Sequence, residues 1–172
     1  MIKHPVAVTK NKKEVYVDLV ASKAGKQIAA QPHLVNLAQE ILSSEDYSGE
    51  RVIIERHMGR VIGTSDVVKT TDKDTIFYAK TVGSQEFMRF VKNRSYTPSH
   101  YLTLVLREEA EGYLLTAIMI GRHRPELPDS LEATPESAAY WTEHASIWEP
   151  RVAQLQSITK ECPWASLTPA NS

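Results

Sequence analysis

The chain has 172 residues, of which 42% are hydrophobic and 24% are charged, a balance typical of a soluble globular protein. Its net charge of −1 argues against a protein that coats DNA non-specifically, and its single cysteine excludes an internal disulfide framework and a cysteine-rich zinc site. The uncharged run of residues 112–121 is far too short to span a membrane, and residues 1–5 lack the apolar core of a signal peptide. We therefore expect a cytoplasmic protein with no membrane partner.

The chain divides into three predicted regions. Residues 1–30 are rich in lysine and alanine, with a short strand-like patch at residues 15–20, and we predict a loosely ordered N-terminal arm. Residues 31–160 alternate apolar patterns with turns and predict a single domain. Residues 161–172 predict a frayed tail.

The first half of the predicted domain contains one clear helix and several short elements. Pro32 opens a pattern in which apolar residues recur at helical spacing. Residues 52–54 fit a strand or a short helix, and residues 75–80 predict a strand. Ser84 is a suitable N-cap for a second, short helix. The apolar face of the first helix comprises Leu34, Leu37, Ala38, Ile41 and Leu42, and that of the second comprises Phe87, Met88 and Val91.

Residues 101–121 form the clearest pattern in the chain. Two apolar runs, residues 101–106 and 113–120, are rich in Leu, Ile, Val, Thr and Tyr, which suit a half-buried strand. The charged patch between the runs ends in Gly112, and glycine adopts turn conformations at low cost. We predict an antiparallel hairpin at the centre of a sheet, because both faces of each strand are largely apolar.

A C-terminal helix is predicted to begin at residues 134–136, where a capping threonine is followed by proline and glutamate. The helix should run to residue 147 or 148, since Pro150 halts it. We expect Trp141 to be buried against the sheet or against the loop of residues 125–128.

The order of the elements predicts an α+β fold with an antiparallel sheet. Residues 75–80, 101–107 and 113–120 should be neighbouring strands of that one sheet. The helix of residues 34–42 should pack on the sheet, because its apolar stripe needs a covering surface.

Charge is distributed unevenly along the chain. Residues 80–107 carry five basic residues and one acidic residue, whereas residues 108–143 carry eight acidic residues and two arginines. A polyanion could bind the first segment although the whole chain is almost neutral. The alternative is that these charges pair across the fold or face solvent, as charged surfaces usually do.

Motifs for metal or nucleotide chemistry are missing from the sequence. There is no histidine pair at i, i+4 spacing with a glutamate, no phosphate-binding loop and no Gly-x-Ser-x-Gly elbow. We expect neither a cofactor nor a metal. The polar side chains that remain suffice for RNA cleavage by a base, an acid and a cation that stabilises the phosphorane. Histidine suits the first two roles because the ordinary pKa of imidazole lies near neutrality.

Four residues are candidates for such a reaction, and each also has a structural interpretation. His144 shares a helical face with Tyr140 and could instead pack at the edge of the core. His100 directly precedes the hairpin and could be a solvent-exposed loop residue. Lys80 ends a strand and could cover the sheet margin with its alkyl chain, and Thr116 lies mid-strand, where threonine is a common β-former.

Several short motifs follow one another between residues 60 and 148. They are residues 67–70, 75–80, 90–92, 113–117 and 120–121, then Pro125, then Tyr140-Trp141-x-x-His144-Ala145. In this order they resemble the barnase–EndoU–colicin–RelE (BECR) group of small RNase folds, above all the versions found in phage-borne and bacterial polymorphic toxins. The resemblance implies an α+β fold in which helices pack on an antiparallel four-stranded sheet. It also implies a metal-independent endoribonuclease or its catalytically altered descendant.

By this resemblance, the sheet face and its flanking loops bind RNA. The implied catalytic residues are His144, His100, Lys80 and Thr116. The basic residues expected to bind the substrate are Arg60, Lys69, Arg89, Lys92, Arg94, Arg122 and Arg124. A toxin of this group would also have a protein partner such as an immunity protein.

Two other classes of function stay open, because the chain lacks the strongly basic charge that such toxins often have. A non-catalytic interaction domain of a phage or mobile element would use the same sheet to hold a protein and would show a flat apolar patch. A small-ligand-binding domain would show a closed apolar pocket. An RNase would bring His100 and His144 together with basic residues at one sheet edge.

Overall fold

The computed structural model describes residues 3–149 and 154–165. Of the described residues, 42% lie in strands and 17% in helices, and the strands form sheets of five, two and five strands. The predicted α+β fold, with helices packed on one antiparallel four-stranded sheet, is therefore wrong. The cause is that several segments with helix-like spacing pair with distant strands.

The described residues contain three helices and twelve strands. The helices are α1 (Lys23–Ala30), α2 (Leu34–Leu42) and α3 (Pro135–Glu143). The first six strands are β1 (Lys3–Val8), β2 (Glu14–Asp18), β3 (Arg51–His57), β4 (Gly63–Ser65), β5 (Val67–Lys69) and β6 (Thr75–Thr81). The other six are β7 (Phe87–Lys92), β8 (Thr97–Ser99), β9 (Tyr101–Glu109), β10 (Gly112–Ile120), β11 (His144–Ile147) and β12 (Leu155–Thr159).

The elements group into two compact units, which are described separately. The first unit comprises Met1–Gly63 and Pro98–His123. The second unit comprises Thr64–Thr97 and Arg124–Ser172. The short strands β4 and β8 pair with each other.

The predicted arm of residues 1–30 contains regular structure from Lys3 onward. Its strands β1 and β2 are antiparallel, and Val15 and Val17 are fully buried. The predicted boundaries of the arm, the domain (31–160) and the tail (161–172) stay predictions. Residues 166–172 of the tail lie outside the described residues.

A five-stranded sheet forms the first unit, in the order β1-β2-β10-β9-β3. The hairpin predicted for residues 101–121 is confirmed, because β9 and β10 pair antiparallel with a register shift between Leu115 and Ala117. β3 extends the sheet antiparallel to β9, and β2 lies parallel to β10. Of the two alternatives for residues 52–54, the strand is therefore the one observed.

The core of the first unit combines this sheet with the apolar stripes of α1 and α2. All five apolar residues predicted for α2 are buried, which confirms the amphipathic helix. Leu102, Leu104 and Leu106 of β9 are completely buried in the same cluster. Full burial of a leucine side chain contributes about 1.5–3 kcal/mol, so this cluster holds the hairpin against the helices.

Gly25 marks a close approach of α1 to the end of β2. A Cβ atom at this position would overlap the carbonyl oxygen of Asp18 and lie 2.8 Å from the Cα of Leu19. Alanine normally stabilises a helix by about 0.5–1 kcal/mol relative to glycine. Gly25→Ala should instead lower the free energy of unfolding by about 1–3 kcal/mol, because the backbone must shift to make room. Chemical denaturation gives the sign of the change, and a stabilised variant would contradict this packing.

A second five-stranded sheet forms the second unit, in the order β12-β6-β7-β11-β5. β6 and β7 are antiparallel, whereas β11 lies parallel to β7 and antiparallel to β5. The strand predicted for residues 75–80 is confirmed as β6. Its predicted place beside the hairpin is wrong, because β6 pairs with β7 and β12.

Two segments of the second unit that were predicted to be helical are strands. Residues 87–92 form β7, and the Ser84 hydroxyl accepts the amide of Glu86 in a tight turn rather than capping a helix. The C-terminal helix ends at Glu143, because residues 144–147 form β11 and bury Ala145 and Ile147. In both segments, pairing with distant strands outweighs the local helical spacing.

The start of α3 and the burial of Trp141 are confirmed. Thr134 forms a capping box with Ser137, and a proline occupies the first turn. Trp141 is 3% exposed, and its indole Nε1 donates to the carbonyl oxygen of Pro125 at 3.1 Å. Trp141 therefore packs against the loop that the sequence indicated.

Candidate functional site

The four predicted catalytic residues are divided between the two units. His100 and Thr116 belong to the first unit, and Lys80 and His144 belong to the second. The first unit thus contains one histidine and the threonine, and the second contains the other histidine and the lysine. Their catalytic roles stay predictions.

Thr116 and His100 lie at different levels of the first sheet. The hydroxyl of Thr116 donates to the carbonyl oxygen of Val105 at 3.2 Å, beside the register shift between β9 and β10. Gly121, five residues further along, donates its amide to the carbonyl oxygen of Tyr101, next to His100. Because a strand rises about 3.3 Å per residue, roughly 16 Å separates Thr116 from that end of the sheet. The structure does not bring these two residues together.

His144 and Lys80 each contact an aromatic ring of the second unit. The His144 ring stacks on Tyr140, with centroids 4.0 Å apart and an interplanar angle of 4°. His144 Nδ1 lies 3.0 Å from the carbonyl oxygen of Tyr140, which only accepts, so the hydrogen bond requires a proton on Nδ1. Lys80 Nζ lies 4.8 Å from the ring centre of Phe87. These are contacts typical of side chains that pack at the margin of a sheet.

Most of the predicted substrate-binding cations have partners inside their own unit. Four form ion pairs at 2.7–3.0 Å: Arg60 with Glu40, Arg94 with Asp74, Arg122 with Glu55, and Arg124 with Asp66. Arg89 donates to the hydroxyl of Thr70 and to the carbonyl oxygen of His144. Lys69 on β5 and Lys92 on β7 are exposed. Four of the seven predicted substrate-binding cations are thus paired with a carboxylate of their own unit.

The first unit brings together two exposed histidines, a tyrosine and an arginine, which we call the imidazole cluster (His57, His100, Tyr101 and Arg122). The rings of His57 and His100 are stacked, with centroids 5.2 Å apart and an interplanar angle of 11°. The Tyr101 ring meets His57 edge-on at 5.1 Å. The guanidinium of Arg122 lies over the Tyr101 ring, 4.7 Å from the ring centre.

The imidazole cluster forms because three neighbouring strands end at the same level. His57, the last residue of β3, is in register with Tyr101, the first residue of β9. The amide of Met58 donates to the carbonyl oxygen of His100, and the amide of Gly121 donates to that of Tyr101. These backbone bonds fix the strand ends, so the cluster rests on the rigid sheet of the first unit.

The hydrogen bond to His57 fixes which ring nitrogen carries the proton of the neutral ring. The backbone amide of Gly59 donates to Nδ1 of His57 at 3.1 Å. An accepting Nδ1 carries no proton, so the proton of the neutral ring lies on Nε2. His57 is therefore arranged as a neutral N–H donor.

Glu55 holds Arg122 in place at the edge of the cluster. Arg122 Nε and Nη2 both donate to Glu55 Oε1, at 3.0 and 2.7 Å, and the amide of His123 donates to Oε2 at 2.8 Å. Partial burial raises the pKa of the Glu55 carboxyl, but the hydrogen bonds from Arg122 and His123 outweigh it and lower the pKa below its ordinary value of 4.5. Arg122 itself stays 66% exposed, so part of its guanidinium faces solvent.

The lowered pKa of Glu55 gives a pH-dependent contribution to stability. A carboxyl whose folded-state pKa is depressed stabilises the fold above its ordinary pKa, and this contribution is lost as the pH falls through the folded-state pKa. Glu55→Gln should therefore cost about 1 kcal/mol at pH 7, because charge-assisted hydrogen bonds become neutral ones. Below pH 4.5 the difference between the two proteins should shrink. Urea denaturation at pH 7 and pH 3 measures it, and a larger difference at pH 3 would contradict the ionised pair.

His57 is the histidine of the cluster that was not among the predicted site residues. It enters the site only through the register of β3 against β9, which brings it beside Tyr101. A local signal was present in Arg56-His57-Met58-Gly59-Arg60, where basic residues and a histidine surround a glycine turn. Arg122 and His100, by contrast, were both predicted site residues.

A metal site and a membrane-spanning helix are both absent from the part of the chain that the structure describes. In residues 3–149 and 154–165, no three His, Cys, Asp or Glu side chains are grouped so that they could hold a metal ion. None of the helices within these ranges is long and apolar enough to cross a membrane. No protein-family model, no curated protein and no solved structure matches this chain.

Proposed function

We propose that the imidazole cluster binds a phosphodiester of RNA and cleaves it by proton transfer from the ribose 2′-hydroxyl. The observation that supports the proposal is the stacked pair of exposed imidazole rings, 5.2 Å apart, at the rim of a rigid sheet. This spacing lets one phosphate group contact both rings, since each hydrogen bond spans about 3 Å. The proposal does not depend on the predicted fold of helices packed on one antiparallel four-stranded sheet, which the sheet topology contradicts.

The contacts of the cluster suggest a division of roles. His100 is exposed and acts as the base that removes the 2′-hydroxyl proton. His57, whose Nδ1 accepts from Gly59, presents its Nε2–H to a non-bridging phosphate oxygen. Arg122 supplies positive charge to the phosphorane. The O2′–P bond forms, the P–O5′ bond breaks, and water gives a proton to the leaving 5′-oxygen.

The chemistry favours RNA over DNA as the substrate. The nucleophile of the proposed reaction is the ribose 2′-hydroxyl of the substrate, which DNA lacks. The aromatic ring of Tyr101 also offers a surface on which an adjacent base can stack. The product is a 2′,3′-cyclic phosphate and a free 5′-hydroxyl.

A mixed pool of single-stranded RNA tests the proposal with the full-length chain. We expect cleavage in excess EDTA that leaves 2′,3′-cyclic phosphate ends and that slows as salt rises, because phosphate contacts release counterions. The matched control is the same pool with 2′-O-methyl groups, which should stay intact. Cleavage of the methylated pool, or products with 3′-hydroxyl ends, would contradict a 2′-hydroxyl nucleophile.

A further inference from the structure

A cavity of about 540 Å³ opens on one face of the second sheet. Cavities of roughly 300–1,000 Å³ are the size that small organic ligands occupy. The cavity lies within the second unit and shares no residue with the imidazole cluster. Its walls are mainly Phe77, Trp148, Leu155 and Ile158, with Lys92 and Lys160 among the lining side chains.

Two aromatic rings form a corner of this cavity. Phe77 and Trp148 meet edge to face, with centroids 5.9 Å apart and planes at 87°. Phe90, the register partner of Phe77 on the neighbouring strand β7, stacks on the Phe77 ring with centroids 5.4 Å apart and helps to hold it in place. A planar apolar ligand placed in such a corner meets one ring face-on and the other edge-on, which is the preferred geometry of aromatic contacts.

The two charged side chains that line the cavity, Lys92 and Lys160, are both cationic, and Thr159 adds a neutral hydroxyl. Lys92 Nζ lies 5.2 Å from the Phe77 ring centre and 5.5 Å from the Trp148 ring centre. Lys160 is exposed, and no acidic residue is among the described residues that line the cavity. Two ammonium groups beside apolar walls, with no carboxylate among the described lining residues, are complementary to an anion with an apolar body.

We propose that this cavity binds a small aromatic anion, such as an aryl carboxylate or sulfonate. The rings of Phe77 and Trp148 contact the planar body, and Lys92 and Lys160 pair with the acid group. The surrounding apolar surface strengthens the pairing, because a less polar environment screens the charges less than water does. The second unit is thus a small-molecule binding module, independent of RNA cleavage by the first.

Two dyes of the same shape and different charge test the proposal on the full-length chain. 8-Anilino-1-naphthalenesulfonate carries a sulfonate, and N-phenyl-1-naphthylamine has the same rings without it. Lys92→Gln combined with Lys160→Gln should weaken binding of the sulfonate dye about 10-fold or more and leave the affinity for the neutral dye within about twofold. Trp148→Ala should weaken binding of both dyes, because it removes a wall of the cavity.

Lys26→Gln is the matched control, since Lys26 is an exposed lysine of α1 in the first unit. It should leave both affinities unchanged. An equal loss of affinity for both dyes in the double lysine variant would overturn the proposal. The lysines would then support the fold rather than bind the sulfonate group. Unchanged binding of the sulfonate dye in that variant, or no binding of either dye to the wild-type protein, would overturn it as well.

Discussion

Replacing Trp141 with alanine should lower the free energy of unfolding by about 3–5 kcal/mol, the usual range for a buried aromatic side chain. Trp141 is 3% exposed and belongs to a cluster with Tyr78 and Trp164. The indole also donates to the carbonyl oxygen of Pro125, and truncation leaves that acceptor without its partner. Both losses fall on the second unit, which should be the part of the protein that unfolds at lower urea concentration.

Two further variants separate the contributions to the Trp141 effect. Trp141→Phe keeps much of the ring volume and loses the indole N–H, so it should cost roughly 1–2 kcal/mol. Leu131→Ala changes a fully exposed side chain of the same unit and should cost less than about 0.5 kcal/mol. A loss below about 1 kcal/mol for Trp141→Ala would place the indole at the surface and contradict the packing of α3.

The hairpin of the first unit was predictable because its signal is local. Each strand is a long run of strand-forming residues, and the two runs are joined by a short charged loop. In the structure Gly112 also has a non-local role, since a Cβ there would overlap the carbonyl oxygen of Glu14 on the neighbouring strand β2. Even so, the pairing with β2 is not visible in the local pattern and depends on a segment almost a hundred residues away.

The second sheet was not predictable, because its strands are short and their pairing is non-local. The apolar residues Phe87, Met88 and Val91 fit helical spacing as well as strand alternation, and a run of six residues does not distinguish the two. β11 contains only four residues and continues directly from α3. What makes β11 a strand is its place between β5 and β7, where Ser146 lies in register with both Val67 and Phe90.

The candidate site was partly predictable for the same reason. His100 and Arg122 flank the hairpin, so a correct hairpin placed them at its ends. His57 reaches the site only when β3 pairs with β9, and the sequence of β3 does not predict the register of that pairing. The sequence thus indicated which types of catalytic side chain the protein contains, but not which two histidine rings stack on each other.

The roles proposed for the two stacked histidines predict different effects of the same substitution. His100→Gln removes the base and should lower the rate of RNA cleavage about 100-fold or more. His57→Gln keeps an N–H donor and should lower the rate less than about 10-fold, whereas His57→Ala removes the donor and should lower it about 100-fold. Initial cleavage rates of a labelled RNA at saturating protein measure all three. Circular dichroism should be unchanged in each variant, because both rings are exposed.

Two other histidines complete the comparison. His33→Gln alters an exposed histidine of the same unit outside the cluster and should leave the rate unchanged. His144→Ala tests the site that the sequence indicated in the second unit, where the ring stacks on Tyr140. If His144→Ala abolished cleavage while the variant lacking both His57 and His100 kept the wild-type rate, the catalytic histidine would lie in the second unit. If only the variant that lacks both His57 and His100 lost activity, the reaction would be assigned to the imidazole cluster, because this cluster shares no residue with the site at His144.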